Sequence, residues 1–119
     1  MNEILAMAEE IRPRLIELFR EFHRHPELSN EEHETAARVL SVLREIEGLE
    51  IASGVAGTGI VALLHGTKGS GKTILLRADM DALPVEEHSG VPYASLYPGK
   101  MHAAATTVTP RGYWERLCF

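Results

Sequence analysis

Apolar residues recur at helical spacing through the first part of the chain. They occupy Ile4, Ala8, Ile11, Leu15, Leu18, Phe19 and Phe22. Steps of three or four residues place side chains on one face of a helix, so this stretch is predicted to be helical. Pro13 interrupts the pattern, and the helix either kinks there or begins at that residue. His25 precedes Pro26 and ends the helix, because a residue before proline avoids the α region.

A second helix is predicted over residues 30–47. Ser29 precedes Glu32 by three residues, which is the spacing of a capping box. Apolar residues expected to be buried then follow at helical spacing: Ala36, Val39, Leu40, Leu43 and Ile46. Gly48 is expected just beyond the end of this helix, where a left-handed residue is favoured.

The hydrophobic pattern changes after Gly48. Segments 50–54, 58–65 and 73–79 are short, rich in branched apolar residues and bounded by glycines, as strands are. Two helices followed by about three strands predict an α/β fold with helices against a face of the sheet.

Composition narrows the functional classes. The chain has 119 residues, 45% of them hydrophobic and 24% charged, which is typical of one globular domain. A net charge of −5 and a pI near 5.6 argue against a nucleic-acid partner. There is no signal-peptide pattern, and no apolar run approaches the roughly 20 residues of a membrane span. We therefore expect a cytoplasmic chain without a membrane partner, and the single Cys118 excludes an internal disulfide.

A phosphate-loop pattern occurs at residues 66–73. The sequence GTKGSGKT matches GxxxxGK[ST] in full. That site requires a helix directly after the lysine, with its N-terminus facing the phosphates. A strand pattern follows instead and continues to Pro84, so a turn between adjacent strands explains the same residues. Nucleotide binding is therefore the third-ranked function.

Two aspartates lie at the end of the third predicted strand. Asp79 and Asp81 are two residues apart, and side chains at that spacing share a face in extended structure. Paired carboxylates at a strand end suit a metal site or the groups that support its ligands. Spacing alone favours two solvated aspartates in a turn before Pro84. The six histidines show no ligand spacing among themselves, and most are expected on the surface.

Four successive blocks resemble one enzyme family. They read FHRHPELSNEEHETA, GVAGTGIVALLHG, ILLRADMDALPVEE and PYASLYPGKMHA, and together they cover roughly residues 12–103. They are similar to N-terminal blocks of hippurate hydrolase, N-acyl-amino-acid deacylase and plant auxin-conjugate (IAA-amino acid) hydrolase, which belong with aminoacylase and the carboxypeptidase-type metallopeptidases. The resemblance implies that residues 1–103 are the N-terminal portion of a metallopeptidase-like α/β catalytic domain. It also implies that the inserted dimerisation domain of this longer, often oligomeric family is expected to be absent from these residues.

The resemblance also implies a chemistry. The family hydrolyses small N-acyl amino acids or similar amides with two divalent metal ions, Zn or Mn, which polarise the carbonyl and activate water. Asp81 matches the family aspartate that supports the metal ligands. Asp79 matches the family's RADMD block but is not assigned as a ligand. His102 matches the histidine before the ligand block and is not one of the main ligands.

The ligand block itself is replaced from Ala104 onward. The family has CGHDGHT here, with a cysteine and a histidine that bind the metals, whereas this chain reads AATTVTP. Restoring one T before the codons GCN GCN ACN ACN GTN ACN CCN gives a frame that can encode CGHDGHT. Residues 104–119 are therefore interpreted as an out-of-frame tail outside the fold, produced by a one-base deletion near codon 103 or 104. A pseudogene and a base lost in sequencing both remain open.

These observations leave three hypotheses. The first is a metal-dependent amidohydrolase by family, although the 119-residue chain is expected to bind no metal and to be inactive. The alternative is a non-catalytic remnant, either unfolded or an interaction module. A nucleotide-binding protein is third.

Overall fold

Two helices precede a two-stranded sheet in the computed structural model, which describes residues 2–103. The elements are α1 (Asn2–Arg24), α2 (His33–Leu43), β1 (Leu49–Val55) and β2 (Gly59–Leu64). This order confirms the predicted α/β class. The proposed out-of-frame tail lies outside the described residues.

Helix α1 continues through Pro13, so the helix does not begin there. A proline removes one backbone donor, while the turns on both sides keep their own hydrogen bonds. The N-terminal half of the apolar stripe faces solvent, with Ile4 73% and Ile11 55% exposed. Towards the C-terminal end, Phe22 is half-buried. No helix within residues 2–103 has the combination of length and apolarity that crossing a bilayer requires.

Helix α2 starts later than predicted, and the capping-box prediction is wrong. Glu32 occupies the cap position and makes no side-chain cap hydrogen bond. The carboxylate of Glu27 takes that role, because it accepts the backbone N–H of Glu34 at 3.2 Å and of Thr35 at 2.7 Å. Two of the donors that every helix leaves unpaired at its first turn are thereby satisfied.

The end of α2 is also earlier than predicted, because residues 44–47 form turns. The N–H of Ile46 donates to the carbonyl of Leu43 at 3.1 Å, a three-residue span. Ile46 is consequently 49% exposed instead of buried. Gly48 has the expected left-handed backbone, with φ of 80°, but this turn separates it from the helix. Of the other predicted core residues, Ala36 is buried and Val39, Leu40 and Leu43 are half-buried.

Strands β1 and β2 form an antiparallel hairpin close to the predicted segments. Leu49 pairs with Leu64, and Ser53 pairs with Ile60. The register shifts between Ser53 and Val55, as expected for a bulge that bends a strand towards its turn.

The predicted third strand does not form. Residues 73–79 join no ladder within the described part of the chain, and Ile74, Leu75 and Leu76 are 83%, 87% and 90% exposed. A continuous apolar run is typical of a strand covered on both faces in a larger sheet. Residues 2–103 provide neither the neighbouring strands nor the cover, so the segment is unpaired.

The apolar core is correspondingly small. Within residues 2–103, the hydrophobic residues in the buried class are Ala36 and Ala82. They lie on α2 and on the segment after Asp81, and that segment contacts the connection between the two helices.

Candidate metal-site support region

Three segments that are distant in sequence meet around Asp81. Leu28 pairs with Ala82 in a parallel bridge. Leu83 and Met101 pair in the antiparallel sense and exchange two backbone hydrogen bonds, of 2.9 and 3.0 Å. We refer to the meeting point of residues 27–29, 81–83 and 101–102 as the junction.

The junction brings together two of the residues singled out from the sequence, Asp81 and His102. The Asp81 carboxylate accepts a hydrogen bond from the hydroxyl of Ser29, with 2.5 Å between Oγ and Oδ2. Burial, helped by the charge of His23, lowers the pKa of His102, although the backbone and carboxylate of Asp81 oppose this. The neutral imidazole is therefore favoured. Its Nε2 is buried and has no hydrogen-bond partner within residues 2–103.

Asp79 lies outside this group. Its side chain is 64% exposed and contacts the guanidinium of Arg77 at 2.6 Å. Asp81, by contrast, is half-buried. The two carboxylates that the sequence placed on one face therefore have different surroundings and different partners.

Glu27 links the junction to the start of α2. Its carbonyl accepts the N–H of Ala82 at 2.7 Å, while its carboxylate caps the helix. Burial raises the pKa of Glu27, but hydrogen bonds from Thr35 and Glu34 outweigh burial and hold the pKa below its usual value. This single residue therefore fixes both α2 and the backbone beside Asp81.

Glu32 links the junction to the hairpin. It is 7% exposed, and its Oε2 accepts the hydroxyl of Thr58 at 2.8 Å. Burial raises the pKa of Glu32, and the nearby charge of Asp81 acts in the same direction. Hydrogen bonds from Thr58 and from the backbone of Glu32 and Asn30 outweigh both, so the pKa is lowered.

A second carboxylate cluster fastens residues 85–97 to α1. The Glu87 side chain is 6% exposed. Its Oε1 lies 3.0 Å from Nε2 of His23 and also accepts the hydroxyl of Ser89, while its Oε2 accepts the N–H of Ser95 at 2.6 Å. Tyr93 packs edge-on against His23, with ring centroids 5.6 Å apart. His23 is thus part of a packed cluster, whereas His33, His65 and His88 are exposed as predicted.

We expect Glu87→Gln to release the 85–97 segment from α1. The Ser89 hydroxyl and the Ser95 N–H lower the pKa of Glu87 to about 2. The ionised carboxylate therefore stabilises this contact above its ordinary pKa of 4.5, and the stabilisation is lost as pH falls from there towards 2. Glutamine has one acceptor oxygen where the carboxylate has two, so Ser89 and Ser95 compete for it, and an unsatisfied buried donor costs about 1–3 kcal/mol. Hydrogen exchange at the Ser95 amide should therefore accelerate about tenfold or more.

The matched control for this variant is Glu86→Gln, which changes an exposed neighbour. It should leave exchange at Ser95 unchanged at neutral pH. Equal exchange rates in the two variants, or undiminished protection of Ser95 in the unmodified chain near pH 2, would contradict the assigned role of Glu87.

The residues of the junction do not form a metal site. Within residues 2–103, no group of three or more His, Cys, Asp or Glu side chains is placed to hold an ion. Asp81 and His102 are close to each other, but two groups cannot complete the three or four protein ligands that a zinc site requires. The junction can support metal ligands that come from other residues, but it cannot supply those ligands itself.

No pattern in the sequence indicates the roles that Ser29, Glu27, Glu32 and Glu87 have in the structure. By their spacing, Ser29 and Glu32 match the two halves of a local capping box. Their actual partners, Asp81 and Thr58, are 52 and 26 residues away. Local spacing carries no information about such partners.

Comparison with known proteins identifies relatives of this chain. The chain is 44% identical over 110 residues to N-acetyl-L-cysteine deacetylase of Bacillus subtilis, covering 86% of this chain and 26% of that protein. It is 40% identical over 102 residues to N-acyl-L-amino acid amidohydrolase of Geobacillus stearothermophilus, covering 86% and 27%. No family model matches the chain.

A solved structure agrees with these sequence relatives. A dinuclear metal-binding peptidase of the M20 family from Bacillus subtilis superposes with a TM-score of 0.71 at 40% identity, covering 79% of this chain and 26% of that one. The chain thus spans about a quarter of the length of the relatives it matches. Over the matched residues, the chain is similar to a deacetylase, an amidohydrolase and a dinuclear metal-binding peptidase of the M20 family.

Proposed function

We propose that this chain is the N-terminal part of a metal-dependent amidohydrolase that cleaves the amide bond of an N-acyl amino acid. The observation that carries the proposal is the 40–44% identity to a deacetylase and an amidohydrolase over 86% of the chain. The junction supports it, because it packs Asp81 and His102 together directly before the point where the family's ligand block belongs.

The proposed metals are two divalent ions, Zn or Mn, held by ligands beyond residue 103. Since residues 2–103 contain no ligand group of their own, we assign them no catalytic step. Asp81 is proposed to orient the metal ligands without binding the metal ions itself. We assign no role to Asp79, and His102 is a packing neighbour of Asp81.

The partner we propose is a small N-acyl amino acid, with assembly into oligomers through a domain that residues 1–103 lack. We also propose a cytoplasmic location, which rests on the composition. In this proposal residues 1–103 are the truncated portion of the catalytic domain, and residues 104–119 are an out-of-frame tail that binds no metal.

A non-catalytic remnant is the second candidate. The exposed 73–79 segment and the small core favour it. Titration of the frame-restored protein with Zn or Mn separates the two candidates, because only an enzyme takes up stoichiometric metal. Nucleotide binding has less support, since residues 66–81 contain no helix whose N-terminus can face a phosphate. Binding of ATP to the purified chain would support nucleotide binding as its function.

We expect restoration of one base near codon 104 to open a long reading frame. Because the chain spans about a quarter of its relatives, the frame should encode roughly the remaining three quarters, including further His and Glu ligands. Sequencing the downstream DNA tests this directly. Early stop codons after a recognisable ligand block would indicate a decayed gene. Absence of any family-like sequence would exclude the frameshift.

A further inference from the structure

The backbone on both sides of Ser29 places this residue next to Asp81. Leu28 pairs with Ala82 in the parallel bridge, which sets the two chain segments side by side. Asn30 follows with a left-handed φ of 66°, which turns the chain away towards α2. The proximity of the serine and the aspartate is therefore determined by the fold of the junction and not by a chance rotamer.

The Ser29 hydroxyl is not used to cap α2. Glu27 satisfies the first-turn donors of that helix, so the hydroxyl is available to another acceptor. It donates to Oδ2 of Asp81 at 2.5 Å, within the range of a charge-assisted O–H···O⁻ bond. Among the side chains of residues 2–103, Ser29 is the hydrogen-bond donor to this carboxylate.

We propose that Ser29 is a positioning residue for Asp81, an inference that rests on the proposed amidohydrolase function. A hydrogen bond to Oδ2 restricts rotation of the carboxylate and leaves Oδ1 as the oxygen that supports the metal ligands. Removing a group that orients a metal site from outside its coordination shell costs about 10–100-fold in metal affinity or activity. Ser29 contacts neither metal nor substrate in this role.

The test uses the frame-restored, full-length protein with Ser29→Ala, Ser29→Thr and Ser41→Ala. Ser29→Ala should lower kcat and metal affinity by about tenfold or more, with KM unchanged. Ser29→Thr keeps a hydroxyl and should restore both. Ser41→Ala should match the wild type, because the Ser41 hydroxyl donates to the carbonyl of Arg38 at 2.7 Å on an exposed part of α2. A purely structural role would lower Tm and leave metal affinity unaffected.

A double-mutant cycle with Asp81→Asn completes the test. If Ser29 acts through Asp81, Ser29→Ala causes no further loss in that background. Additive losses, or wild-type kcat and metal affinity in Ser29→Ala, would overturn the inference and leave the amidohydrolase function standing. If the frame-restored wild type hydrolyses no N-acyl amino acid with any divalent metal, the function fails instead. Unfolding free energies of the wild type, Ser29→Ala, Asp81→Asn and the double variant then decide, and zero coupling between Ser29 and Asp81 overturns the inference.

Discussion

The 119-residue chain is expected to release no product from hippurate or other N-acyl amino acids, with or without added Zn or Mn. Hydrolysis of this class requires metal ions at fixed geometry, a water between them and a base beside it. Residues 2–103 hold no metal-ligand group. The tail adds only Glu115 and Cys118 as donors of the relevant kind. Steady-state assays on the purified chain, with metal content measured in parallel, check this.

The frame-restored protein provides the positive arm of the same experiment. It should be active with a divalent metal, and replacing its restored cysteine should remove most of that activity. Asp81→Ala should cost about 10–100-fold, because the carboxylate supports the ligands. Glu50→Ala, which removes an exposed carboxylate on β1, serves as the matched control. Metal-dependent turnover by the 119-residue chain, free of host hydrolase, would contradict the expectation.

The purified chain is also expected to self-associate and to lack a sharp thermal transition. Ile74, Leu75 and Leu76 are 83–90% exposed on a segment without a strand partner. Exposed apolar strands pair with other chains, and the apolar face of α1 adds to the uncovered surface. Sedimentation velocity should show concentration-dependent oligomers, and calorimetry a broad transition.

A charge placed in the exposed segment should reduce this association. Leu75→Lys puts a cation in the middle of the unpaired strand, a substitution that natural edge strands use against pairing. Leu96→Lys is the control, because Leu96 is 63% exposed but lies outside this segment. A monomeric wild-type chain with a cooperative transition, or equal association of the two variants, would show that residues 73–79 are not the cause.

The helices and the hairpin could be predicted because their signals are local. The three- and four-residue steps of α1 and the short apolar runs of β1 and β2 are properties of adjacent residues. The third strand could not be judged in the same way. Residues 73–79 carry the pattern of a covered strand, but whether it forms depends on neighbours that residues 2–103 do not provide. Sequence resemblance found the family, and local spacing did not.

The candidate site shows the same division between local and non-local information. Asp81 and His102 were identified through the resemblance, and the structure places them together. Ser29 and Glu32 matched a capping box in spacing, yet both side chains form hydrogen bonds to residues far along the chain. The hydrogen bond of the predicted capping box does not form, because the Glu27 carboxylate caps α2 instead. Such competition between acceptors is decided by tertiary contacts.

The three-segment junction also sets an order of folding. A hairpin such as β1–β2 closes in about 1–10 μs, whereas joining Ser29 to Asp81 closes a loop of 52 residues and costs more chain entropy. Met101 follows Asp81 by 20 residues, so at about 5–20 residues per second the ribosome needs about 1–4 s to supply it. During that interval Leu83 lacks its partner strand, while the apolar run at 74–76 has already been synthesised. Nascent chains are therefore most exposed to chaperones, and to one another on a polysome, before the junction closes.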